Sequence, residues 1–272
     1  MDFVLSKEQE MARQLFRDFA EKEVKPLAQE VDEEERFPAE TVAKMQKFGF
    51  MGIPFPKELG GQGCDTLTYA MCVEELSKVC ATTGVIVSAH TSLGCDPIKK
   101  YGTPEQIEKY LVPMAQGKKL GAFGLTEPGA GSDASAGKTT AVKDGDSYIL
   151  NGRKCFITMA PIADQCIVYA KTDPEKGAKG ITCFMVDMNL PGVSCGRHEE
   201  KMGQRGVPVS DVVLEDVRVP KDCVIGEVGM GFINAMKTLS VGRVGVSSMC
   251  LGMAQEAIDL AVNHTKNRVQ FG

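Results

Sequence analysis

Apolar residues recur at helical spacing through the first part of the chain. Ser6 and Gln9 stand in the S-x-x-Q relation of a capping box, and Met11, Leu15, Phe19 and Leu27 follow at roughly helical spacing. "FPAETVAKMQKFG" places Pro38 near a helix start, Val42, Met45 and Phe48 on one side, and Gly49 as a stop. Beyond the Gly-rich "ELGGQGCDT" a third helix is predicted around Met71, Leu76 and Cys80. "TTGVIVSAHTSLGCDPI" is apolar almost all round, the pattern of a buried helix. In "GTPEQIEKYLVPMAQG", Thr103 is the N-cap, Pro104 takes the first helical position and Gln106 closes a capping box ahead of Ile107, Tyr110 and Leu111.

From about Leu120 the period shortens. "LGAFG" reads as a strand, and "TTAVKDGDSYIL" carries Asp144 and Gly145 at a hairpin turn between β-rich runs. "QCIVYAK", "GITCFMVD" and "SDVVLEDVRVP" read as further strands, separated by Gly, Pro and Asn rather than by helices. That spacing favours a small antiparallel sandwich or barrel over βαβ units. After "GEVGMGF" the helical period returns through Ile233, Met236, Leu239, Val244, Met249, Met253, Ile258 and Val262. The expected fold class is α+β: an N-terminal α-helical domain over 1–119, a central antiparallel β barrel or sandwich over 120–229, and the start of a C-terminal helical bundle over 230–272.

Composition narrows the function classes. The 272 residues are 43% hydrophobic and 25% charged with a formal net charge of -5, an ordinary globular balance without the basic excess of a nucleic-acid surface. The N-terminal stretch is broken by charge every few residues, unlike a signal peptide, and no run of about twenty apolar residues suggests a membrane span. A cytoplasmic protein with no membrane insertion is the expectation. None of the ten cysteines forms a C-x-x-C pair, and they read as reduced, small apolar residues. His90, His198 and His264 are well separated, so no metal site is expected.

Candidate chemistry lies in "GLTEPGAGSDASA", Gly124 to Ala136. The loop follows a strand, but no good helix-forming sequence follows it and it lacks Gly-Lys-Ser/Thr, which argues against both the dinucleotide fingerprint and the P-loop. Two readings remain from spacing alone. One is a generic surface turn. In the other, backbone N–H groups and the hydroxyls of Thr126 and Ser132 meet a cofactor edge while Glu127 and Asp133 cap amides and pin the loop.

This loop, followed by "LNGRKCFIT" and "GRVGVSSMCLGMAQEAIDLAVNHTKNRVQFG", resembles the acyl-CoA dehydrogenase family, the short-chain, butyryl-CoA type in particular. "ERFPAETVAKM", "MGIPFPKELGG" and "GEVGMGFINAM" extend the resemblance over essentially the whole chain. It implies FAD as cofactor and FAD-dependent conversion of short-chain acyl-CoA to trans-2-enoyl-CoA. Carried over residue by residue, Phe123, Leu125 and Thr126 would lie by the isoalloxazine, and Ser132 would reach the pyrophosphate and border the acyl-CoA channel. Phe156 would cover one flavin face and Thr158 would hydrogen-bond near N5. Arg268, with Gln270 and Phe271, would reach the FAD of a neighbouring subunit, which implies a homo-oligomer, and the electron acceptor would be an electron-transferring flavoprotein.

The same resemblance marks departures. Arg243 would hold the CoA part, helped in the family by an acid where this chain has Ser240. An Asn-Gly pair is usual where Met159 and Ala160 stand. The proton-abstracting carboxylate is expected outside this chain, since the alternative family position for it is Gly242, and the chain is expected to be a C-terminally truncated subunit. The alternative is a truncated, non-catalytic homologue that binds flavin or acyl-CoA or partners a full-length subunit.

Overall fold

The computed structural model describes residues 4–272. Helices come first: α1 (Lys7–Phe19) and α2 (Lys25–Glu33), joined through a π-helical stretch at Ala20–Val24, then α3 (Ala39–Lys47), α4 (Thr66–Val79) and α5 (Ala81–Ala89). A second π-helical stretch, His90–Cys95, leads into α6 (Asp96–Tyr101). Pro104–Gln106 (α7), a third π stretch at Ile107–Leu111 and Val112–Ala115 (α8) close the helical part. Both expected capping boxes form: Ser6 with Gln9 and Thr103 with Gln106 satisfy each other's orphan amides. Gly49 ends α3 at φ 74°, the left-handed conformation for which glycine lacks the Cβ penalty.

The buried face of α1 differs from the expected one. Met11 and Leu15 are exposed, and Phe16 and Phe19 enter the core, where both rings meet Phe50 edge-on. Arg13 and Arg17 on the same helix reach the buried Glu75 of α4, so an ionic contact and an aromatic cluster fix the packing together. Burial pushes the Glu75 carboxyl up, and the two guanidinium groups outweigh it and hold it below the usual carboxylate range.

Seven strands follow: β1 (Gly121–Gly124), β2 (Thr140–Asp144), β3 (Ser147–Thr158), β4 (Gln165–Lys171), β5 (Ile181–Asp187), β6 (Val193–His198) and β7 (Val209–Pro220). They form one curled sheet in the order β1-β4-β2-β3-β7-β6, with β5 paired to β4. Most pairings are antiparallel as expected, but β1 runs parallel to β4, and β2 touches β4 in parallel at Thr140 and Lys171, so the sheet is mixed. The β2–β3 hairpin turns on Gly145 and Asp146, one residue later than Asp144-Gly145, because Asp144 already pairs with Ser147. β6 had no clear sequence signal, and its half-exposed "VSCGRH" explains why.

A single helix, α9 (Gly231–Asn267), completes the fold. It crosses α4 and α5 on a face of small residues. A Cβ at Gly252 would lie 2.2 Å from the Glu74 carbonyl oxygen, and one at Gly245 would lie 2.3 Å from Ser88 Oγ. Backbone therefore packs against backbone at Gly252 and against side chains at Gly245, and the start of α9 lies on β5.

Candidate functional site

The cleft has a volume of about 410 Å³ and is walled by three elements. The Gly-rich loop after β1 contributes Leu125, Thr126, Gly131, Ser132 and Asp133, preceded by Phe123 of β1. The end of β3 contributes Phe156, Ile157 and Thr158. The helical side contributes Ala89, Leu93, Phe232, Met236, Leu239 and Arg243. Six of the residues expected around a flavin, Phe123, Leu125, Thr126, Ser132, Phe156 and Thr158, thus share one cavity with Arg243.

The backbone explains how Phe156 gets there. The β3–β7 ladder shifts register between Lys154 and Ile157, and Phe156 sits inside that bulge at φ 59°. A bulky non-glycine residue in the left-handed region is costly, and bulges commonly re-aim a side chain at a site. Phe156 is 65% exposed on a strand whose neighbours Cys155 and Ile157 are buried. Three residues on, Met159 is also left-handed, at φ 65°, and fully buried. An Asn or Gly would adopt that conformation more easily, so burial of the methionine in the helical core offsets the strain.

The loop is held from behind. Cys155 N–H donates to the Thr126 carbonyl at 2.9 Å, and Glu127 and Ala130 exchange both backbone hydrogen bonds across a tight turn. Glu127 accepts from the Lys138 amide at 2.5 Å and the Thr139 amide at 3.0 Å, as a pinning acid should. The lysine that the loop itself lacks arrives from β3: Lys154 Nζ donates to Glu127 Oε1 at 2.7 Å and to the Leu125 carbonyl at 3.3 Å. Burial pushes the Glu127 carboxyl up, but Lys154 and the loop's donors outweigh it and hold it below the usual carboxylate range; burial pulls the Lys154 ammonium down, with Glu127 opposing. Asp133 pins less: its carboxylate accepts the Ser135 hydroxyl at 2.6 Å, and its carbonyl accepts the Ala136 amide at 3.1 Å.

The site can take a flat aromatic ring system with a polar edge. Apolar residues make up most of the lining, and Thr126 and Ser132 of the loop and Thr158 of β3 add hydroxyl-bearing residues from two of its walls. At Gly129 and Gly131 nothing lies within 4 Å of where a Cβ would stand, so the loop backbone is open to a ligand. These residues fit the isoalloxazine end of FAD.

Other expected residues lie elsewhere. Ser240 is exposed, does not line the cleft, and turns its hydroxyl back onto the Met236 carbonyl at 3.1 Å. Arg268 borders a separate shallow depression with Leu260, Asn263, His264 and Asn267, and Gln270 and Phe271 are exposed beyond it. Gly242 packs on Leu93. Among the described residues, Asp133 is the one carboxylate lining the cleft.

Sequence reasoning singled out Arg243 but missed the apolar part of the helical wall. Phe232, Met236, Leu239 and Arg243 are spaced by four, three and four, a single stripe of α9 whose apolar part ends in a cation. It also missed His90. The buried imidazole sits 3.1 Å from the Met114 carbonyl through Nε2 and accepts the Gly121 amide at 3.2 Å through Nδ1, tying the start of β1 to the π-helical stretch that carries Leu93. Burial lowers it to about 4.

Family models match in sequence along the chain: the acyl-CoA dehydrogenase N-terminal domain over residues 6–118, the middle domain over 122–217 and the C-terminal domain over 229–272. The chain belongs to the acyl-CoA dehydrogenase family. A short-chain-specific acyl-CoA dehydrogenase of Clostridium acetobutylicum is 53% identical over 272 residues, which are 100% of this chain and 72% of that protein. A caffeyl-CoA reductase–Etf complex subunit of Acetobacterium woodii is 53% identical over 268 residues, 98% of this chain and 71% of the relative. Among solved structures, butyryl-CoA dehydrogenase from Megasphaera elsdenii superposes with a TM-score of 0.98 at 44% identity, covering 100% of this chain and 72% of that one. No helix among the described residues is long and apolar enough to cross a membrane.

Proposed function

We propose that this chain binds FAD in the cleft and serves the α,β-dehydrogenation of a short-chain acyl-CoA thioester to the trans-2-enoyl-CoA. The observation that carries the reading is the convergence of Phe123, Leu125, Thr126, Ser132, Phe156, Thr158 and Arg243 on one cavity from three separate parts of the chain. Thr126 would hydrogen-bond the polar pyrimidine edge of the ring, Thr158 the region of N5, and Ser132 the pyrophosphate. Phe156 would cover one face and keep water from it. When bound, FAD supplies the acceptor for the hydride leaving the thioester β carbon. The apolar stripe of α9 would seat the acyl chain, and the Arg243 guanidinium would hold the CoA portion.

The α proton must go to a carboxylate. Gly242 offers none, and the resemblance places the base outside this chain, although Asp133 is the one carboxylate among the described residues that lines the cleft. Arg268, Gln270 and Phe271, exposed beyond the end of α9, would serve the cofactor of a second copy in a homo-oligomer. An electron-transferring flavoprotein would reoxidise the system, a reading that the Etf-complex subunit among the relatives supports. The three spans 1–119, 120–229 and 230–272 would be the three structural units of this subunit.

The test is anaerobic butyryl-CoA titration of the FAD-loaded subunit with the segment that carries the base supplied. Bleaching of the flavin band with formation of crotonyl-CoA is the expected result. Retained colour with tight thioester binding would favour the non-catalytic homologue. Bleaching by 3-phenylpropanoyl-CoA but not by butyryl-CoA would move the substrate to aryl thioesters.

A further inference from the structure

We propose that Lys154, paired with Glu127, is a positioning residue for the flavin cradle, holding the backbone of the Gly-rich loop against the bulged end of β3. The inference rests on the FAD reading above. Its basis is which groups meet behind the cleft. Residues 125, 126 and 127 each present an acceptor to β3: the Leu125 carbonyl and the Glu127 carboxylate take Lys154 Nζ, and the Thr126 carbonyl takes the amide of the next residue, Cys155. On the other side of the same short segments, Leu125, Thr126, Phe156 and Thr158 face the cavity. Among the described residues, the hydrogen bonds that tie these two sides of the cradle to each other come from residues 154 and 155.

The arrangement is sealed. Lys154 is 1% exposed, and the void behind it, about 10 Å³, admits nothing larger than one water. Glu127 spends its remaining acceptor capacity on the Lys138 and Thr139 amides, so the ion pair also fixes where the loop ends and β2 begins. A buried ion pair of this kind adds little stability over a well-packed apolar pair, but it has strict directional needs, and removing one partner strands the other. Packing alone could be met by methionine. The donor geometry toward Leu125 and Glu127 could not, and a slack loop would move the Thr126 hydroxyl relative to Thr158.

The measurement is the FAD dissociation constant and the visible spectrum of the bound flavin for four forms: the unaltered chain, Lys154→Met, the neutral pair Glu127→Gln/Lys154→Met, and Val217→Ala. Val217 is a fully buried β7 residue away from the cleft and supplies a stability control. The expected result is a loss of FAD affinity of at least tenfold in Lys154→Met, with a shifted or broadened flavin band. The neutral pair should regain thermal stability without regaining affinity or spectrum, and Val217→Ala should be less stable yet bind FAD normally. Should Lys154→Met not fold, the neutral pair against Val217→Ala carries the same comparison. Normal affinity and spectrum in the neutral pair, or an equal loss in Val217→Ala, would overturn the positioning role. Failure of the unaltered chain to take up FAD would overturn the FAD reading, and this inference with it.

Discussion

His90 shows how a single side chain can link the helical layer to the cleft. Its two ring nitrogens are used in the way only the neutral imidazole allows, one as donor to Met114 and the other as acceptor from Gly121. Protonation would set an N–H against the Gly121 amide in a site without solvent. Asp164 is the one nearby charge that favours the proton, and burial outweighs it, which is why the group falls from 6.5 to about 4. The unfolded chain therefore binds a proton at His90 between those two values while the folded chain does not. This contribution to stability is whole above pH 6.5 and is lost as pH falls toward 4, by roughly 3 kcal/mol for a shift of this size. Chemical denaturation of the native chain and of His90→Gln at pH 7.5 and pH 4.5 checks it: their difference in stability should narrow markedly at the lower pH. A difference that stays constant would show that His90 does not titrate in this window.

At the scale of elements, the glycines of α9 decide its position. Glycine inside a helix ordinarily costs about 1 kcal/mol relative to alanine. At Gly252 the sign should reverse, because the new methyl would meet the Glu74 carbonyl at 2.2 Å and the Lys78 amide at 3.0 Å, and backbone atoms of α4 cannot swing aside. Gly252→Ala is expected to destabilise by about 1–3 kcal/mol, whereas Ser247→Ala on the exposed side of the same helix should gain a few tenths. Thermal denaturation of the two variants separates the effects. Local chemistry of this kind was partly legible in the sequence. Both capping boxes, the Gly49 stop and the strand at "QCIVYAK" follow from residue type and spacing. The strand partners do not: β1 lies parallel to β4 through contacts some forty residues apart in sequence, and no local pattern encodes that. The cleft divides the same way. Its loop could be picked out from glycines and hydroxyls, but the bulge that turns Phe156 outward depends on how β3 pairs with β7, and Lys154 reads as an ordinary strand lysine until the sheet curls round Glu127.

Over the whole molecule, the second half of α9 stands apart from the rest. Leu251, Ile258 and Val262, continuing from Val244, lie seven, seven and four residues apart, so they share one face, and Leu251 and Ile258 are 55% and 57% exposed. An apolar stripe of this length is more than scattered surface hydrophobes, and its burial against another polypeptide surface would be favourable by roughly 25 cal/mol per Å². The helix is also thinly anchored there: beyond Gly252, the contacts with the helical layer include the solvent-screened Lys78–Asp259 ion pair, a weak tie. The chain by itself should therefore self-associate, with an average mass that rises with concentration in sedimentation equilibrium. Leu251→Lys/Ile258→Lys should remove most of that dependence while leaving the cleft unaltered, since neither residue lines it. If the double variant associates as strongly as the parent, the contact lies on another face, and the placing of Arg268, Gln270 and Phe271 at a neighbour's cofactor would lose the support of this helix.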